Sequence, residues 1–197
     1  SKRFVLADPK LVSGCGELKT VLPSDKQYDP SMIGLVRMAE MGEAEKALLL
    51  CNASLNKPKE RQAAVALKAD LQPIIEKRLE ERVAILSDTL KPSSARYDAL
   101  LELTQMTKDL KTTLPSATKI APLLSKVRQE PAMQKEARAE TAYQSTLARM
   151  KKASDRDKPR LVKELESIEQ KNPDTKYGQL AGESAKQFAD SVSAGAK

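Results

Sequence analysis

The sequence predicts an all-α protein built as an array of antiparallel helical hairpins, with about seven or eight helices after a short extended lead-in. Three observations predict this architecture. Glycine is sparse, with 7 in 197 residues, whereas the strong helix formers Ala, Leu, Lys, Glu and Gln are plentiful. Apolar residues recur at steps of three and four along most of the chain. Prolines and a glycine interrupt these stretches where hairpin corners would lie.

The lead-in is predicted over residues 1–28, ahead of a helical-repeat domain over residues 29–197. Its apolar runs are short and flank a turn at Asp8, and Gly and Pro follow them. The segment FVLADPKLV, which begins at Phe4, resembles the late hairpin of thioredoxin-like domains. That resemblance implies that the lead-in is the end of a preceding domain and that the helices are its extension. Whether a domain precedes Ser1 is left open.

The first predicted hairpin lies between Asp29 and Pro58. Asp29 is a good N-cap and Pro30 suits the first helical position, so a helix is expected from here to Met41. Gly42 then supplies the corner. The predicted inward face of the second helix consists of Ala44, Ala47, Leu48, Cys51 and Leu55.

The spacing of Gly42, Ala47, Cys51 and Pro58 resembles that of a tetratricopeptide repeat, although the early Trp and the Tyr of that family are absent. In such repeats small residues let the two helices approach, and a proline ends the second helix. The resemblance implies a helical-repeat fold that binds a protein or peptide partner. Any other helical hairpin with a glycine corner remains the alternative.

Apolar periodicity predicts the later helices and their inward residues. A long helix from Pro58 to Asp88 is expected to kink or split near Asp70, because Pro73 removes one backbone hydrogen bond. The further helices are expected at about residues 95–112, 115–129 and 131–150, then from either Ser154 or Asp157 to about 171, and at about 175–192. Their expected inward residues include Leu100, Leu103, Met106, Leu110, Ala137, Ala139, Tyr143, Leu147, Met150, Leu161, Val162, Leu165, Ile168, Tyr177, Leu180, Ala181, Ala185 and Phe188.

Three proline corners suggest a duplicated unit. Pro58, Pro115 and Pro173 are separated by 57 and 58 residues. The corner that runs from Lys171 to Tyr177 resembles corners in bacterial envelope helical-repeat proteins and in helical extensions of thioredoxin-like proteins. This resemblance favours an exported or periplasmic location over a cytoplasmic one.

No catalytic, cofactor-binding or metal-binding residue is predicted, and the protein is expected not to be an enzyme. The chain has no His, which removes the usual imidazole base and makes a zinc site improbable. Acidic pairs such as Glu80 with Glu81 are interpreted as solvated helix surface. Whether Cys15 and Cys51 form a disulfide is left open, with two unpaired thiols slightly favoured.

The net charge of +7 allows an acidic partner, but the basic residues are interleaved with acids, which is typical of a solvated helical surface. The predicted function is therefore a non-catalytic protein-interaction or scaffold module. An accessory helical region of a thioredoxin-like redox protein is the alternative, and nucleic-acid binding is ranked below it. Self-association of exposed repeat ends is a further option, and no apolar stretch is long enough to cross a membrane.

Overall fold

The computed structural model describes residues 22–23 and 26–194, and these residues are helical with no strand among them. Residues 1–21, which carry Cys15 and the thioredoxin-like segment, lie outside this part, so those predictions are not addressed. After a 3-10 turn at Pro30–Met32, the helices are α1 (Ile33–Glu40), α2 (Ala44–Ser54), α3 (Arg61–Ser87), α4 (Ser93–Leu110), α5 (Pro115–Lys119), α6 (Ala121–Arg128), α7 (Pro131–Met150), α8 (Lys158–Lys171) and α9 (Lys176–Ala194). The all-α prediction is confirmed for the described residues.

The described chain separates into two compact units. The first comprises the residues up to Val83 together with Leu103–Ala121, and the second comprises Ala84–Glu102 and the residues from Pro122 onward. The predicted domain boundary after residue 28 stays a prediction. No helix in the described residues is both long and apolar enough to cross a membrane.

The first unit begins with the capped turn that the sequence predicts. The Asp29 carboxylate accepts hydrogen bonds from the backbone N–H and the hydroxyl of Ser31, at 2.9 and 2.6 Å. These bonds lower the pKa of Asp29, the hydroxyl contributing most. Pro30 follows at the first helical position, where its missing N–H costs nothing.

Gly42 makes the corner between α1 and α2, and these two helices pack against each other. Its φ of +87° lies in the left-handed region that a residue with a Cβ rarely adopts. The Gly42 N–H donates to the carbonyl of Ala39 at 3.0 Å, so it satisfies one of the last carbonyl groups of α1.

We expect Gly42→Ala to lower the free energy of unfolding by about 1 kcal/mol, because the left-handed conformation is strained for alanine. A Cβ at Gly42 would meet no atom within 4 Å, so no steric clash adds to this cost. Urea denaturation followed by circular dichroism measures the difference. Gly34→Ala is the matched control, since Gly34 is helical and its Cβ would also meet open space. A larger loss at Gly34 than at Gly42 would contradict this explanation.

Buried side chains of α2 face α3 in the first unit. Ala47, Leu48 and Cys51 are fully buried, and the Cys51 thiol donates to the carbonyl of Ala64 at 3.0 Å. Leu55, predicted to be inward, is only half-buried. Along α3 the apolar residue Val65 is 53% exposed, so it does not lie on the buried face. The seam instead follows Ala64, Leu67 and Leu71 at steps of three and four, which fit one helical face better.

Two proline predictions were only partly right. α3 runs without interruption through Pro73, which lies on its exposed side, so the helix does not split. The helix predicted over residues 115–129 is instead divided into α5 and α6 at Ile120. Pro122 favours the break, because it cannot donate to the carbonyl of Thr118, and as the second residue of α6 it needs no such donation.

In the second unit α8 packs against α9, and α7 packs against both. The predicted inward residues of α8 are all buried, and so are Tyr177, Ala181 and Ala185 of α9. Ala137, Leu147, Leu180 and Phe188, also predicted to be inward, are half-buried. Gly178 and Gly182 let α9 approach α8 and the residue that follows it. A Cβ at Gly178 would overlap the backbone carbonyl of Asn172, and a Cβ at Gly182 would overlap the Glu169 carboxylate.

The α8–α9 corner holds this close approach in place. The Thr175 hydroxyl donates to the carbonyl of Asn172 at 2.9 Å and accepts from the Gly178 N–H at 3.0 Å. Thr175 therefore caps α9 and also fixes the carbonyl that excludes a side chain at Gly178.

Candidate functional site

A partly open groove of about 410 Å³ lies in the first unit between the start of α2 and the second half of α3. Its lining residues are Ala44, Glu45, Ile74, Ile75, Lys77, Arg78, Glu81 and Arg82. Ala44 and Ile75 are almost fully buried and Ile74 is half-buried, so Ile74 supplies most of a small apolar floor. The charged side chains therefore surround a patch that water solvates poorly.

The charges around the groove are partly organised by an ion pair. Arg78 Nη1 lies 2.8 Å from Glu45 Oε1 and joins α3 to α2, with 31% and 19% of the two side chains exposed. Lys77 is exposed next to this pair. With Arg82 the groove carries three cations and two acids, a balance that suits a ligand with a carboxylate beside an apolar side chain.

A second cluster of polar residues lies inside the second unit. Tyr97 and Tyr177 meet edge to face with ring centroids 6.2 Å apart, and Tyr143 lies 6.0 Å from Tyr177. The Tyr97 hydroxyl donates to Glu140 Oε2 at 2.7 Å. Burial, with Glu140 nearby, raises the pKa of Tyr97 above its ordinary value and that of Tyr177 to about 12. These phenols therefore stay protonated and serve as hydrogen-bond donors in the packed interior.

Glu136 is a second carboxylate near these tyrosines, and it is fully buried. It accepts a hydrogen bond from the Ser93 hydroxyl at 3.0 Å and another from the Lys176 N–H at 3.1 Å. Ser93 and Lys176 are the first residues of α4 and α9, so one side chain satisfies donors at the starts of two helices. Burial raises the pKa of Glu136. Both contacts join helices of the unit, which identifies Glu136 as a structural residue.

The thiol of Cys51 is not placed for redox chemistry. Its side chain is fully buried, and burial raises its pKa, so the thiolate is disfavoured. Its pairing with Cys15 is not addressed, because Cys15 lies outside the described residues. Within the part of the chain that the structure describes, no group of three Cys, Asp or Glu side chains could hold a metal ion.

Sequence reasoning named no site residue, and both polar clusters were therefore missed. Glu81, interpreted as solvated helix surface, is exposed and also lines the groove. The groove residues of α3 recur at Ile74, Arg78 and Glu81, which is a helical stripe, but the stripe mixes apolar and charged types. Glu136 did leave a signal: it falls midway between Met133 and Ala139 on the apolar face of α7.

No protein-family model, curated protein or solved structure matches this chain.

Proposed function

We propose that the protein is a non-catalytic interaction module that binds a short protein segment in the groove between α2 and α3. The observation that carries this proposal is the combination of an apolar floor with a charged rim in one concavity of the first unit. The proposal also takes the helices to be stacked antiparallel hairpins of tetratricopeptide type, as the corner residues Gly42 and Pro58 suggest.

The chemistry of the groove defines the segment that it fits. An aliphatic side chain packs on Ile74 and Ala44, whose side chains carry no hydrogen-bonding group. An acidic side chain one or two residues away faces Lys77 and the Arg78–Glu45 pair. Burial of the aliphatic group supplies affinity, whereas the charges select the partner and its orientation.

Selection from a displayed library of short random peptides tests the proposal, followed by fluorescence anisotropy with the purified protein. We expect selected peptides to combine an aliphatic with an acidic residue and to bind with a Kd of about 10 μM. Lys77→Glu should weaken binding at least about tenfold, a loss of about 1.4 kcal/mol, because it replaces an attraction with a repulsion.

Lys59→Glu is the matched control for this experiment. It makes the same charge change at an exposed residue of the same unit that does not line the groove. It should leave the Kd within about twofold, since a distant surface charge is screened by salt. Failure to select any binding peptide, or equal weakening by the two substitutions, would refute the groove as the binding site.

A further inference from the structure

The corner between α7 and α8 concentrates the positive charge of the protein. Residues 149–164 carry seven Lys or Arg against three Asp or Glu, so this short stretch supplies more than half of the chain's net charge of +7. We define the basic corner as the four exposed residues Lys151, Lys152, Arg156 and Lys163.

Two of the three acids of this stretch pair with cations outside the basic corner, whereas the third, Asp157, accepts a hydrogen bond from the Ser154 hydroxyl at 2.6 Å. Asp155 pairs with Lys158 at 2.7 Å, and Glu164 receives both terminal nitrogens of Arg149, at 2.7 and 2.9 Å. These contacts lower the pKa values of Asp155 and Glu164, with the hydrogen bonds from Lys158 and Arg149 as the main causes. No described residue forms an ion pair with a member of the basic corner. The interleaved acids, of which only Asp157 lacks a cation partner, therefore leave most of the positive charge at this surface uncancelled.

The composition of the corner defines which polyanion it fits. Met150, Leu161 and Val162 are buried, so no large apolar side chain of the stretch projects to enter a membrane. The stretch contains no aromatic residue on which the bases of a single strand could stack. The corner therefore offers only cations. Cations gain the most binding free energy from the dense phosphate charge of a duplex, because binding releases the counterions of the duplex.

We propose that the basic corner binds the phosphate backbone of duplex nucleic acid without reading its sequence. The binding is electrostatic and independent of the peptide groove, which lies in the other unit. Each of the four cations contacts or approaches a phosphate, so the affinity depends steeply on salt.

The test is anisotropy with a fluorescent duplex DNA of about 20 base pairs, titrated at salt concentrations from about 50 to 200 mM. With four cations engaged, we expect the logarithm of the association constant to fall with the logarithm of salt with a slope of about −4. The triple substitution Lys151→Gln, Lys152→Gln and Arg156→Gln should reduce the slope to about −1 and weaken binding at low salt at least about tenfold.

The matched control substitutes Gln at Lys59, Lys108 and Lys119, three exposed lysines of the first unit. It removes the same net charge and leaves the basic corner intact, so its slope should stay near −4. An equal loss of affinity in the two triple variants would show that binding depends on total charge, and it would overturn the proposal. The absence of salt-dependent binding would also overturn it. Tighter binding of phosphatidylserine vesicles, or of a polyglutamate peptide, than of the duplex would overturn the choice of partner.

Discussion

Gly178→Ala is expected to lower the free energy of unfolding by about 3 kcal/mol, which corresponds to a fall of about 6 to 12 °C in Tm. A Cβ at Gly178 would overlap the carbonyl oxygen of Asn172, lie 2.7 Å from its carbonyl carbon and lie 2.9 Å from Thr175 Oγ1. Two of these three atoms belong to backbone, so the α8–α9 corner would have to move as a whole.

Gly182→Ala is the control that separates this clash from a general effect of alanine. Both substitutions lie in α9 and both raise helix propensity, by about 1 kcal/mol for an exposed site. At Gly182 the overlapped atoms belong to the Glu169 carboxylate, the far end of a flexible side chain that can rotate away. We therefore expect its Tm to change by less than about 2 °C. Thermal melting by circular dichroism compares the two, and an equal loss in both would contradict the assigned role of the corner backbone.

Glu136→Ala should cost about 3 kcal/mol, because it leaves the Ser93 hydroxyl and the Lys176 N–H without their acceptor and opens a cavity. Glu136→Gln keeps one carbonyl acceptor and most of the volume, so it should cost less than half as much. Urea denaturation at neutral pH measures both. A smaller loss for alanine than for glutamine would show that the two hydrogen bonds do not stabilise the second unit.

The raised pKa of Glu136 also makes the stability of the protein depend on pH, in a direction that can be predicted. Because burial raises its pKa in the folded state, the stability that comes from its protonation is fully present below the unfolded value near 4.5 and is lost as pH rises through the folded value. The stability of the parent protein relative to Glu136→Gln should therefore be greater at pH 4.5 than at pH 7. Asp29, Asp155 and Glu164 have lowered pKa values, so their contributions to stability fall as pH falls. Because both proteins contain these three residues, this opposite trend cancels in the comparison.

The sequence predicts those features of the fold that depend on neighbouring residues better than those that depend on contacts between distant segments. The helices follow from local signals: Asp29 and Pro30 start the first, Gly42 ends it, and the stripe from Leu161 to Ile168 fixes the buried face of α8. The break at Ile120 was missed because Pro122 lay inside an apolar periodicity that otherwise continues.

Contacts between distant segments could not be predicted in the same way. The pairing of Arg78 with Glu45 spans 33 residues, and that of Glu136 with Lys176 spans 40. No local pattern indicates which of many charged residues will meet, because that depends on how the helices pack. For Gly178 the sequence suggests a small residue on a helix face, whereas the overlap with the Asn172 carbonyl depends on the corner geometry.

The central claim is that the groove between α2 and α3 is where a protein segment binds, and it can be mapped directly. Titration of the ¹⁵N-labelled protein with a selected peptide should shift the backbone amide resonances of Ala44, Glu45 and residues 74–82 first. Amides of α8 and α9 should stay unchanged at the same peptide concentration. Shifts confined to the second unit, with the groove amides unmoved, would contradict the proposal.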